Sequence, residues 1–270
     1  MVNVLKTTGE QEEFDKEKII DSVKRAGVPE NLQSKVLKHV EEKLYENIPT
    51  SQVYHHVTEY LQNYHPVGKQ KYGLKQAIMQ MGPTGHPFED YVAEILKTMG
   101  YETQVRALLK GNCVTHEIDV IAEKQIPKLL RAMVEVKFHN DPGIRTDVHV
   151  ALYTKARFDD VKDRHSLNQA WLVTNTKLTS DALAFALCVE MNVLSWNYPQ
   201  GNSIRELIEP SKLYPLTLLE SLSQAQKQAL LDDHIVLLSE IIKNKDCLNL
   251  LAIQPDKKET IIEEAKRILS

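Results

Sequence analysis

The chain has 270 residues, 42% of them hydrophobic, enough to bury a sizeable core and to form two or three domains. It lacks an uninterrupted apolar stretch of the roughly 18 residues a membrane span needs, and its start, "MVNVLKTTGEQEEF", lacks the apolar centre of a secretory signal, so no membrane partner and a cytoplasmic address are expected. A net charge of −4 is not the usual footprint of a nucleic-acid binder, though it leaves room for a local basic patch.

The amino-terminal eighty residues predict a short hairpin and four helices. "VNVLK" is extended, Gly9 turns the chain, and "QEEF" leads into a helix that Asp15 caps, with Ile19, Ile20, Val23 and Ala26 as its apolar stripe. Leu32, Val36, Leu37 and Val40 recur at helical spacing in the second helix, and Thr50 is placed to cap the third, "TSQVYHHVTEYLQNY". "GKQKYGLKQAIMQMG" predicts one further helix through Gly73, ending at Gly82-Pro83.

This order resembles the ATP-cone, a nucleotide-binding regulatory module, on the strength of "VLKTTGEQEEFDKEKI", "IPTSQV" and "KYGLKQAI". The resemblance implies a pocket for ATP or dATP lined by Val4, Lys6, Glu12, Lys18 and Thr50. The two lysines suit the charge of a triphosphate. Two positions depart from the cone pattern: Thr7 stands where a basic residue is common, and Tyr54 where a histidine is often found.

Two apolar runs follow. In "THEIDVIA" the two-residue period of a strand buries Ile118 and Val120 and projects Asp119 with Glu117 and Ile121. In "RAMVEVKF" it sets Glu135 and Lys137 on one face and Val134, Val136 and Phe138 on the other. Two carboxylates on neighbouring strands, with a lysine beside the second, are the donors a hard divalent cation selects, and phosphodiester hydrolysis is the chemistry they imply. His116 is close enough in sequence to Asp119 to serve as an accessory residue.

From Gly85 to Glu209 the chain resembles the PD-(D/E)XK nuclease superfamily, within it the Mrr-like restriction endonucleases. The resemblance rests on "GHPFEDYVAEILKTMGYETQ", "HEID", "VEVK" and "AWLVTNTKLTSDALAFALCVEMNVLSWN". It implies Asp119 and Glu135 as ligands of Mg2+ or Mn2+, Lys137 as the catalytic lysine and Glu89 as the helix acid of the site. Ile118 stands where the superfamily's proline would be.

"YTKARFDDVKDR" intersperses Lys155, Arg157, Lys162 and Arg164 with acids and is equally a basic DNA patch or a solvated helix. Cys113, Cys188 and Cys247 lack any disulfide or zinc spacing and are expected as small buried residues. From Ser211 the chain is rich in leucine and isoleucine at helical spacing, predicting three or four short helices with breaks at Pro215 and Pro255.

The expected architecture is multidomain α and α/β: a helical ATP-cone (1–84), a restriction-endonuclease-like α/β core with a mixed sheet flanked by helices (85–210) and a small helical carboxy-terminal domain (211–270). The expected function is a magnesium-dependent endodeoxyribonuclease gated by ATP or dATP, with DNA as substrate; double-strand cleavage by one site per chain points to a homodimer. The alternatives are a catalytically silent, nucleotide-sensing regulator that only binds nucleic acid, and a ribonucleotide-metabolism factor that meets partners through the cone.

Overall fold

A computed structural model describes residues 2–6, 9–125 and 128–270. Thr7, the departure from the cone pattern noted above, lies outside the described residues. Contacts divide the chain into two compact units, one of residues 1–76 with 266–268 and 270, the other of 77–265 with 269.

In the first unit β1 (Asn3–Leu5) and β2 (Gln11–Glu13) form the hairpin. Gly9 closes it at φ +83°, a conformation that a residue with a Cβ rarely takes. Asp15 caps α1 (Lys16–Arg25) by accepting from the Glu17 and Lys18 amides. After α2 (Glu30–Glu41) comes a strand absent from the expectation, β3 (Ile48–Pro49), which runs parallel to β1 and gives the sheet order β2-β1-β3.

That strand corrects the role expected of Thr50. Pro49 is held extended by pairing with Leu5 and occupies the cap position, so Thr50 is the first residue inside α3 (Thr50–Tyr64) and does not cap it. The last predicted helix is broken as well: α4 (Pro66–Tyr72) stops at Gly73 and α5 (Leu74–Met79) begins after it. A Cβ at position 73 would come within 3.2 Å of Tyr54 Oη and 3.3 Å of the Gln70 carbonyl, so the glycine admits the Tyr54 ring, which stacks on Tyr72. The core of this unit is a stripe of Val4, Ile19, Val23, Val36, Val40, Ile48, Val53, Val57 and Leu61, each contributing about 1.5–3 kcal/mol on burial.

The second unit opens with α6 (His86–Thr98) and a meander of β4 (Glu102–Lys110), β5 (Thr115–Lys124) and β6 (Leu130–Lys137). A two-residue β7 (Arg145–Thr146) leads to α7 (Val148–His165), then β8 (Gln169–Thr174), β9 (Lys177–Leu178), α8 (Ser180–Cys188) and β10 (Asn192–Ser195). The five-stranded order is β10-β8-β6-β5-β4, antiparallel from β4 to β6 and parallel from β6 to β10. Right-handed crossovers put α7 and α8 on one face of such a sheet. There Val161 of α7 packs on Ile121 and Met133, while Ala151 and Ala186 pack on Ala170, Leu172 and Val193.

The helical stretch after β10 contains α9 (Ile204–Ile208), α10 (Gln224–Asp232), α11 (Leu238–Lys243) and α12 (Pro255–Leu269), with 3-10 turns at Leu216–Leu218 and Lys245–Leu251. Of the cysteines only Cys247 is buried; Cys113 and Cys188 are exposed, against expectation, because one lies at the β4–β5 hairpin tip and the other at the last residue of α8. No helix among the described residues is long and apolar enough to cross a membrane.

Candidate active site

Ile121 pairs with Met133 and Val120 with Val134, so the next step of that register sets Asp119 opposite Glu135. The ladder stops there, and Asp119 takes the place of a backbone partner: its Oδ2 accepts from the Val136 amide at 2.7 Å. Glu135 and Lys137 follow Met133 at a spacing of two and share its face, the face α7 covers, whereas β5 departs from strict alternation around Asp119, since Ile118 and Ile121 both pack in that core. Lys137 is exposed and makes no hydrogen bond or ion pair among the described residues. The chain beyond it is pinned, since His139 and Asn175 exchange two hydrogen bonds of 2.8 and 2.9 Å and His139 Nε2 meets Thr146 Oγ1 at 2.9 Å.

Glu89 lies in the first turn of α6, where the helix dipole favours a carboxylate. It is nonetheless buried, and burial raises its pKa, with the nearby charge of Asp119 adding to the effect and a bond from Arg106 opposing it. Burial likewise raises Asp119. Burial and then the charge of Asp119 push Glu135 up to about 7. Three carboxyls thus repel one another in a partly dry setting.

The donor set fits a divalent ion on these grounds. Asp119 Oδ1, Glu135 Oε1 and Glu89 Oε1 have no partner among the described residues, all are hard oxygens, and a cation would offset the burial that raises all three groups and the charge of Asp119 that adds to it in Glu135 and Glu89. Among the described residues no three His, Cys, Asp or Glu side chains stand close enough to enclose an ion. Magnesium accepts that arrangement, because it is commonly held by one or two carboxylates and completes its shell with water and phosphate. Asp119 and Glu135 are the pair that faces across the strands; Glu89 reaches the site from a helix.

Two arginines meet these carboxylates, Arg157, which the sequence offers only as part of a basic run, and Arg106, which it does not mark. Arg157 donates from Nη1 to Glu135 Oε2 and from Nη2 to the Glu117 carbonyl, and its Nε is buried without a partner among the described residues. The run holding Arg157 is therefore not simply a solvated helix. Its signal was present, since Arg157 falls on the stripe formed by Ala151, Thr154 and Val161, and a charge on a buried stripe calls for a partner. Arg106 pairs with Glu89 at 3.0 Å and with Asp90 at 2.7 Å, and nothing in its sequence neighbourhood marks it.

His116 is not part of the site. Its Nε2 lies 2.8 Å from Asp160 Oδ2 of α7, at the hairpin-tip end of β5. Asp160 also accepts from the Cys113 amide at 2.8 Å and the Val114 amide at 3.3 Å, and the His116 bond, followed by those amides, holds its carboxyl well below the usual range. Asp160 thereby ties α7 to the hairpin tip. Asp160→Ala is expected to speed amide hydrogen exchange at Cys113 and Val114 by roughly tenfold, the loss of about one hydrogen bond, with the β6 amides unchanged.

In the first unit Lys6 and Lys18 both pair with Glu12, and these bonds pull its carboxyl down to about 2. Val4 is buried in β1 between Glu12 of β2 and Ile48 of β3, and Thr50 follows directly on β3. The five expected nucleotide positions thus gather on and beside one small sheet.

A mixed sheet with an acid pair at the point where two strands part, a lysine on the same face and helical crossovers defines a restriction-endonuclease-like nuclease fold. The restriction endonuclease family matches residues 81–198, the ATP cone domain family residues 2–74, and the family described as AF1548-like, C-terminal, residues 214–269. An uncharacterised protein of Archaeoglobus fulgidus is 35% identical over 179 residues, spanning 66% of this chain and 99% of the relative. The crystal structure of the protein of unknown function AF1548 is similar with a TM-score of 0.60 and 34% identity, covering 69% of this chain and 98% of that one. This chain belongs to the AF1548-like family, with an ATP-cone and a restriction endonuclease domain joined in one polypeptide. The MspJI restriction endonuclease bound to a 27-mer oligonucleotide is a remoter likeness, 12% identical with a TM-score of 0.37 over 73% of this chain and 39% of that one.

Proposed function

We propose that this protein is a divalent-metal-dependent endodeoxyribonuclease whose cutting is set by ATP or dATP bound to its cone. The observation that carries the reading is Glu135, raised to about 7 by burial and by Asp119 across the strand pair, with the uncommitted Lys137 two residues on along the same face. Asp119 and Glu135 would hold Mg2+ or Mn2+, which when bound polarises the scissile phosphate and acidifies a water. Lys137 orients the attacking water and meets the charge that builds on the phosphate oxygens. Arg157 offsets part of the cost of an ionised Glu135, and Glu89 keeps one carboxylate oxygen for a water beside the site. The test is cleavage of supercoiled plasmid, methylated and unmethylated, with Mg2+ or Mn2+; a purified protein that cuts no DNA form and binds neither ion would end this reading.

In this reading residues 1–84 sense nucleotide, 85–210 carry the chemistry and 211–270 support it, in a cytoplasmic protein that cuts both strands as a homodimer. Lys6 and Lys18, now spent on Glu12, would turn to the phosphates of the nucleotide. A ligand at a hundredfold excess over its Kd stabilises the folded state by about 2.7 kcal/mol, so saturating ATP or dATP is expected to raise the melting temperature of the wild type by several degrees. Lys6→Ala and Lys18→Ala should remove most of that shift. An unchanged melting temperature with either nucleotide would leave the nuclease and discard the gate.

One observation favours a second reading, the silent regulator that binds nucleic acid without cutting it: Glu135 already has a cationic partner in Arg157. DNA retained at wild-type affinity with no cleavage under any ion would select it.

A further inference from the structure

Arg106 stands apart from the rest of β4. Its neighbours Val105 and Ala107 pair with Val120 and Ile118, so Arg106 faces Asp119, and both drop out of the ladder. Its φ of +50° lies in the left-handed region that side chains with a Cβ avoid. Backbone held in such a region must be maintained by what surrounds it.

What surrounds it is charge. Arg106 Nη1 donates to Glu89 Oε2 at 3.0 Å and Nη2 to Asp90 Oδ1 at 2.7 Å. His234 Nδ1 lies 2.9 Å from Asp90 Oδ2 and 3.3 Å from Arg106 Nη2. Arginine offers only donors and an ionised aspartate only acceptors, so the arrangement with every group satisfied has His234 Nδ1–H donating to Asp90. Asp90 then receives one bond on each oxygen, and the Arg106 fork is divided between two buried carboxylates. His234 sits in the turn after α10, itself at φ +61°, with its amide donating to the Leu231 carbonyl at 3.1 Å. It belongs to the stretch matched by the AF1548-like carboxy-terminal family.

We infer that the carboxy-terminal segment reaches into the carboxylate site: His234, Asp90 and Arg106 are positioning residues that hold Glu89 beside Asp119 and thereby set the affinity of the site for a divalent cation. The inference rests on the nuclease reading above. If His234 is lost, Asp90 Oδ2 has no partner in a buried position, and the guanidinium fork is drawn toward a two-pronged bond with Asp90. Glu89 then loses its anchor. A segment 128 residues away from Arg106 in sequence would in this way belong to the working site.

The test compares wild type, His234→Ala, His234→Asn and Arg106→Gln in full-length protein by calorimetric titration with Mn2+, by kcat and KM on plasmid, and by thermal melting. Loss of an outer-shell partner of a metal site commonly costs 10- to 100-fold; Arg106 belongs to that shell through Glu89, and His234 stands one bond further out. Arg106→Gln is therefore expected to weaken Mn2+ binding and kcat by about 10- to 100-fold, and His234→Ala by about 3- to 10-fold, with KM unchanged. His234→Asn should restore both, since its amide can replace Nδ1–H and asparagine accepts a left-handed backbone. If His234→Ala binds Mn2+ and cuts like wild type, the inference is overturned and the nuclease reading stands. If wild type itself neither binds Mn2+ nor cuts, the nuclease reading falls and takes this inference with it. Should Arg106→Gln fail to fold, the two His234 variants still decide, because that side chain is 67% exposed.

Discussion

Lys137→Ala and Glu135→Gln are each expected to lower plasmid cleavage by at least about a thousandfold while leaving DNA affinity within roughly threefold, the pattern of groups that act in the transition state rather than in substrate binding. The Lys137 side chain is exposed and makes no hydrogen bond or ion pair among the described residues, so its removal disturbs no packing and the loss would be chemical. Glu135→Gln keeps volume and leaves Arg157 an acceptor, so the change is confined to one charge. Single-turnover cleavage beside filter binding separates the two quantities. Variants that cut within tenfold of wild type would remove Glu135 and Lys137 from the chemistry.

The second large effect is on stability. Glu135 is raised from an ordinary value of 4.5 to about 7, and Asp119 and Glu89 are raised by the same burial. Below about pH 4.5 Glu135 is protonated whether the chain is folded or not, and it makes no difference. Between about 4.5 and 7 the folded state keeps a proton the unfolded state has lost, so stability falls as pH rises and the cost is complete above 7. At about 1.4 kcal/mol per pH unit, the shift of Glu135 amounts to a cost on the order of 3 kcal/mol. Relative to Glu135→Gln, ion-free wild type is therefore expected to lose stability toward urea between about pH 5.5 and about pH 8. Mn2+ should recover much of the difference, and Glu135→Gln should flatten the slope. A stability that rises through this window in wild type, with a parallel curve for the variant, would contradict the arrangement of the three carboxyls.

The two predictions draw on different layers of the molecule. That Asp119, Glu135 and Lys137 lie on two neighbouring strands was legible, because "THEIDVIA" and "RAMVEVKF" each carry the residue pattern of a strand and two such runs in succession make a meander. The Asp15 cap was legible for the same reason, its oxygen reaching amides only two and three residues on. Thr50 does not cap α3, because Pro49 is extended by its pairing with Leu5, a contact 44 residues away in sequence that no local pattern reports.

What the amino-acid sequence determined by itself is the set of local periods: which runs are helices and strands, and which families the chain resembles. The tertiary structure alone decided which cations meet those acids and how far burial shifts them. Arg157 reaches Glu135 across 22 residues, Arg106 reaches Glu89 across 17, and His234 reaches Asp90 across 144. Local propensity carries no information over such separations. A buried charge takes whichever partner the packing of sheet and helices brings within hydrogen-bonding distance, and the cost of keeping it charged depends on the water that packing excludes.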